Sequence, residues 1–292
     1  MGFGRILKSL LDSGRVDIQA RYEILREAVS GTMSKFFKAR DRETGEIVGL
    51  KVLDKDKTAL FEARFRGLNK PNEGEIAVQL CHPRIVRTIR HGMTTRGELF
   101  LVMEFLDGPG LNSLIIGRHP ELSGQELAFV RQAAEAVAAV HQAGFIHRDI
   151  CPRNFVTNRE ITALKLIDFG LTVPATPAFM QPGNRTGTPT YMSPEVVRRR
   201  PTDQRLDIFS FGVSAYELLT FELPWERGSG DGMAAMAHDT REPTPIEARR
   251  PGIHPTLAQA IMQCLAADVD RRPKTIERFL QAIHGLRSVD VT

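Results

Sequence analysis

From Tyr22 to Leu53 apolar and polar residues alternate, and Thr44-Gly45 interrupts the alternation between Lys35–Arg40 and Ile47–Leu53. A period of two broken by a glycine-containing pair predicts antiparallel strands joined by a tight turn. The run Leu99-Phe100-Leu101-Val102-Met103-Glu104-Phe105-Leu106 is almost continuously apolar and stops at Asp107-Gly108-Pro109-Gly110. That pattern predicts a buried strand ended by a breaker cluster. Beyond it the period lengthens. Ser123-Gly124-Gln125-Glu126 has the form of a capping box, followed by Leu127, Val130, Ala134, Val137 and Val140 on one helical face, with Gly144 past the end. A strand-rich first part and a helical second part follow from this pattern.

Length agrees, because 292 residues suit two lobes better than one small core. Hydrophobic residues at 42% and charged residues at 25% are globular values and argue against a disordered chain. The net charge of +4 and pI near 9.1 do not predict nucleic-acid binding, since the cations are dispersed and only Arg198-Arg199-Arg200 forms a run. Cys81, Cys151 and Cys264 show no CxxC spacing, which predicts a reducing, cytoplasmic setting without structural zinc. No apolar run approaches the roughly 18 residues of a membrane span, and no signal-peptide core is visible. Phe3, Ile6, Leu7, Leu10 and Leu11 lie at helical spacing opposite Arg5 and Lys8. We read residues 1–20 as an amphipathic extension docking on its own lobe, because one or two basic turns bind lipid weakly.

Candidate chemistry begins at His147-Arg148-Asp149-Ile150-Cys151-Pro152-Arg153-Asn154. A lone His-Arg-Asp is usually a surface turn. Here an Asn follows the Asp by five residues, and the strand-like Leu164–Ile167 leads into Asp168-Phe169-Gly170. Asp149 is placed to accept a hydroxyl proton, and Asn154 and Asp168 offer the hard oxygens that Mg²⁺ takes while it also holds phosphates.

With these motifs the chain resembles the eukaryotic-like (Hanks-type) serine/threonine protein kinases of bacteria from about Tyr22 to Ile283. The resemblance implies an α+β, bilobal protein-kinase-like fold. An antiparallel β-rich N-lobe with one main helix would span 21–106 and a mainly α-helical C-lobe 107–287, with Mg-ATP between them. It makes Lys51, in Val48-Gly49-Leu50-Lys51, the lysine on the α and β phosphates, held from behind by Glu73, with Glu75 as the alternative. Val29-Ser30-Gly31-Thr32-Met33-Ser34 falls on the glycine-rich loop with only Gly31 kept, so weak ATP binding is expected. Phe36 stands where the family has Val over the adenine and Gly49 where it has Ala, a larger group beside a smaller one. Met103 would be the gatekeeper, with the backbone of Glu104 and Leu106 on the adenine edge and Val156 also against the nucleotide.

The same resemblance extends through the activation segment. Thr186-Gly187-Thr188-Pro189-Thr190-Tyr191-Met192-Ser193-Pro194-Glu195 is similar to the close of Ser/Thr kinases, which has Thr188 bonding Asp149, and Thr186 then Thr176 as candidate phosphorylation sites engaged by Arg148. Asp207 would brace the catalytic loop and Arg272 would pair with Glu195. Cys151 replaces the lysine that Ser/Thr kinases carry two residues after the Asp, and Arg153 is the expected substitute cation. The implied activity is γ-phosphoryl transfer to Ser/Thr of protein substrates and to itself, with a dimer for trans-autophosphorylation as the expected assembly. Two rivals stay open: a pseudokinase scaffold, suggested by the eroded loop and Cys151, and a tyrosine or dual-specificity kinase, suggested by Asp149-Ile150-Cys151-Pro152-Arg153-Asn154.

Overall fold

The computed structural model describes residues 15–30, 33–182, 186–225, 238 and 240–291, with the side chains of 27–30 left out. The amphipathic helix expected near the N-terminus therefore lies outside the described residues. Two compact units are present, Met1–His82 with Val86–Leu106 and Pro83–Ile85 with Asp107–Thr292.

In the first unit, the short helix α1 (Ile18–Arg21) is capped by Asp17, whose carboxylate accepts from the amides of Gln19 and Ala20. It leads into β1 (Tyr22–Ser30), β2 (Ser34–Asp41) and β3 (Ile47–Leu53). Gly45, at φ +75°, makes the β2–β3 turn that the Thr44-Gly45 break predicted. Helices α2 (Lys55–Glu62) and α3 (Glu73–Ala77) follow, then β4 (Thr88–Met93) and β5 (Leu99–Glu104). All five strands form one antiparallel sheet in the order β1-β2-β3-β5-β4. One face buries Tyr22, Ala39, Val48, Leu50, Phe100 and Val102, the inward half of the alternation. Val16 and Ile18 pack on this cluster, and Val16 is bridged to Thr94, so the part of the 1–20 extension that is described belongs to the sheet's own core.

The second unit opens with α4 (Leu111–Ile116) and α5 (Glu126–Gln142). Leu127, Val130, Ala134, Val137 and Val140 are all buried, as their spacing predicts. The capping box does not form. Gly124 takes φ +82°, the helix starts at Glu126, and that glutamate turns back to accept from the Gly124 amide at 2.7 Å. Four short strands come next: β6 (Phe145–Ile146), β7 (Phe155–Thr157), β8 (Leu164–Leu166) and β9 (Val173–Pro174), paired β6 with β9 and β7 with β8.

The remaining helices are α6 (Pro194–Val197), α7 (Arg205–Thr220), α8 (Ile246–Arg249), α9 (Pro255–Cys264) and α10 (Ile276–Ala282). Helix α7 is buried on nearly every side, which makes it the centre of this unit's core. Phe211 on α7 meets Phe279 on α10 edge to face, with ring centroids 4.8 Å apart. None of the described helices is long and apolar enough to cross a membrane.

Candidate active site

The expected site residues fall on both units. On the first, Lys51 projects from β3 and its Nζ lies 2.5 Å from Oε1 of Glu73, with both side chains buried. The choice between Glu73 and Glu75 follows from the start of α3. Glu75 accepts from the Asn72 amide at 2.8 Å and donates its own amide to Asn72 Oδ1 at 3.0 Å. That reciprocal cap engages Glu75 at the helix end. Glu73, two residues earlier, faces the sheet with Ile76 and Ala77.

The Phe36–Gly49 exchange has a direct spatial basis. A Cβ built on Gly49 would sit 2.7 Å from Phe36 Cζ and 3.0 Å from Met103 Cγ, so the Phe36 ring occupies the room that a larger residue 49 would need. The sheet aligns these groups, since Gly49 pairs with Met103 on β5 and Lys38 on β2. At the end of β5 the Glu104 amide donates to Arg87 O at 3.0 Å, and past it Leu106 makes no backbone hydrogen bond among the described residues. The backbone of Val29 pairs with Phe36. Gly31 and Thr32 lie outside the described residues, and with them the eroded stretch on which the expectation of weak ATP binding rests.

On the second unit the loop between β6 and β7 carries the chemistry. Asp207, fully buried on α7, accepts from the amides of His147 and Arg148, both at 2.8 Å, and from the side chain of His141 at 2.9 Å. Burial pushes this carboxyl's pKa up, but the His141 side chain and the His147 amide outweigh burial and hold it below the ordinary 3.8. These bonds fix Arg148 at φ +70°, a left-handed conformation uncommon for a residue with a side chain.

Asp149 comes next. Its Oδ2 accepts from Asn154 Nδ2 at 3.1 Å and its Oδ1 from the Thr188 amide at 2.8 Å. Asn154 also donates to Asp149 O at 2.7 Å, which leaves its own Oδ1 for a ligand. The Ile167 amide donates to Asn154 O at 3.0 Å, and so brings Asp168 beside Asn154. Asp168 Oδ1 accepts from the Gly170 amide at 2.9 Å, while Phe169 is buried against the His147 ring. Val156 lies on β7, bridged to Gly110.

Thr188 does bond Asp149, through its amide. Its hydroxyl instead accepts from Arg153 Nη2 at 2.9 Å, with Cys151 Sγ 3.8 Å away. Burial and the Asp149 charge push the Cys151 thiol up to about 12, so it stays neutral. Gly187, at φ +122°, is required here, because a Cβ would lie 2.6 Å from Arg148 O.

Glu195 is clamped by Arg272 through two 2.8 Å bonds, with both side chains buried, as the sequence implied. Thr186 is buried and its hydroxyl has no partner among the described residues, whereas Thr176 is exposed. Sequence reasoning missed three supports, one of the catalytic loop and two of this segment. His141 sits in the last turn of α5, the Tyr191 hydroxyl donates to buried Glu217 at 2.6 Å, and the His238 ring meets the Met192 carbonyl at 2.7 Å. A glutamate among the apolar residues of the second half of α7 was the available signal for the second.

Residues 22–283 match the model of the protein kinase domain. The chain belongs to the protein kinase family. Among curated relatives it is 34% identical over 283 residues to the serine/threonine-protein kinase pkn3 of Myxococcus xanthus, covering 91% of this chain and 50% of that one. It is 33% identical over 269 residues to the serine/threonine-protein kinase PknB of Mycolicibacterium smegmatis, covering 87% and 41%. The serine/threonine-protein kinase pkn2 of M. xanthus is 29% identical over 281 residues. This kinase domain thus spans about half or less of the length of the curated relatives it matches.

Proposed function

We propose that this chain is a protein serine/threonine kinase that moves the γ-phosphoryl group of ATP to Ser or Thr hydroxyls of proteins, its own activation segment among them. The observation that carries this is the fixed Asp149 carboxylate, held on one oxygen by Asn154 and on the other by the Thr188 amide. A carboxylate so oriented accepts the acceptor hydroxyl's proton as that oxygen bonds the γ-phosphorus and the bond to ADP breaks. Lys51, aligned by Glu73, holds the α and β phosphates. Arg153 provides the cation that the buried Cys151 cannot.

The residues fit a magnesium ion. With its Nδ2 engaged by Asp149, the Asn154 amide presents Oδ1, and Asp168 follows directly on Ile167, whose amide bonds the Asn154 carbonyl. Two hard oxygens suit an ion that completes its shell with phosphate and water. When bound, Mg²⁺ supplies positive charge that offsets the phosphates.

The test is transfer from radiolabelled ATP with Mg²⁺, followed by phosphoamino-acid analysis. Wild type should label serine or threonine, and Asp149→Asn should lose roughly a hundredfold or more of the rate while keeping its circular dichroism spectrum. Equal labelling of both proteins, or phosphotyrosine alone, would overturn the reading.

A further inference from the structure

A groove of about 210 Å³ runs between α9 and α10 on the second unit, formed by residues that the catalytic reading does not use, apart from one wall. Its floor is apolar, with Pro273 and Ala282 reaching solvent and Ala260 and Phe279 buried, and its rim carries Gln263, Arg271, Lys274 and Arg278. The three rim cations are all exposed. Arg278 donates only to the neutral side chain of Gln281, at 3.2 Å, and Arg271 and Lys274 have no ion pair among the described residues.

The nearby acids are engaged elsewhere. Glu277 accepts from Gln142 on α5, Asp270 is bonded by Arg205 at 2.9 Å, and Asp268 caps the turn at Asp270. The groove therefore presents positive charge over an apolar floor with no carboxylate of its own among the described residues facing it. One wall is Arg272, whose guanidinium holds Glu195 at the close of the activation segment.

We propose that this groove docks an acidic segment of a protein, with carboxylates on Arg271, Lys274 and Arg278 and an apolar side chain on Pro273 and Ala282. Charge complementarity selects the acids, and the floor favours a peptide over a free anion, which gains nothing from apolar surface. The volume suits one large side chain, so the occupant is a short extended stretch. Docking here is separate from phosphotransfer and holds whether or not the chain transfers phosphate.

The test uses the whole chain without nucleotide and a fluorescent peptide in which glutamates flank one leucine, read by anisotropy. Its Kd should rise tenfold or more in the Lys274→Glu/Arg278→Glu double variant, and similarly when the peptide's leucine becomes serine. Arg66→Glu, which reverses an exposed cation on the first unit, should leave Kd unchanged. No binding by wild type would overturn the proposal. So would equal loss in Arg66→Glu, which would mean diffuse charge attraction, or displacement by an equal concentration of inorganic phosphate, which would mean an anion site only.

Discussion

Gly49 and Phe36 act as one unit of volume. Gly49→Ala would set a methyl 2.7 Å from the Phe36 ring, and overpacking of this kind costs roughly 1–3 kcal/mol. Chemical denaturation should show that loss in Gly49→Ala and recover most of it in Gly49→Ala/Phe36→Val, with ATP affinity changing in both. Independent, additive effects would mean that the two positions do not share space. Arg153 and Thr188 form a second pair. Arg153→Ala should lower kcat by about tenfold or more, as expected for loss of one charged donor. Thr188→Val should add little to it in a double-mutant cycle, because both changes break the same 2.9 Å bond. Cys151→Lys in the Arg153→Ala background should recover part of the rate. The sequence made Arg153 a candidate through the missing lysine, but its hold on the Thr188 hydroxyl could not be read from spacing, because it depends on a fold that brings residues 35 apart together.

At the level of elements, period and punctuation carried most of the information. The alternation from Tyr22 to Leu53 yields β1 to β3, and the apolar face beginning at Leu127 yields a buried α5. The start of α5 was misread because the capping pattern assumes ordinary backbone at Gly124, and that glycine turns left-handed. Of the candidate site, Lys51, Asp149, Asn154 and Asp168 were proposed from motif spacing. His141 was not, since a histidine in a helix shows no sign of the aspartate it will meet 66 residues later. That aspartate gives the loop a dependence on acidity. A carboxyl whose pKa falls on folding adds stability that is full above its unfolded value, ordinarily 3.8, and disappears as pH drops through the lower folded value. Wild type should therefore lose stability steeply below about pH 4. Asp207→Asn should start less stable at neutral pH, and its acid limb should be shallower. Parallel acid limbs for the two proteins would argue that Asp207 keeps an ordinary pKa.

For the whole molecule, one detail recurs in each part of the chain: the thiols differ sharply in access. Cys151 and Cys264 are buried and each is pushed up to about 12, chiefly by burial, whereas Cys81 is exposed. Maleimide under native conditions should add one label, found at Cys81 by peptide mass spectrometry, and three after denaturation. Two native labels would show that Cys151 or Cys264 opens readily. Cys81 also stands one residue before His82, where the chain first leaves one compact unit for the other. The protein thus carries a natural attachment point for a dye or spin label close to where the chain passes from one unit to the other, and no cysteine need be engineered to place it there.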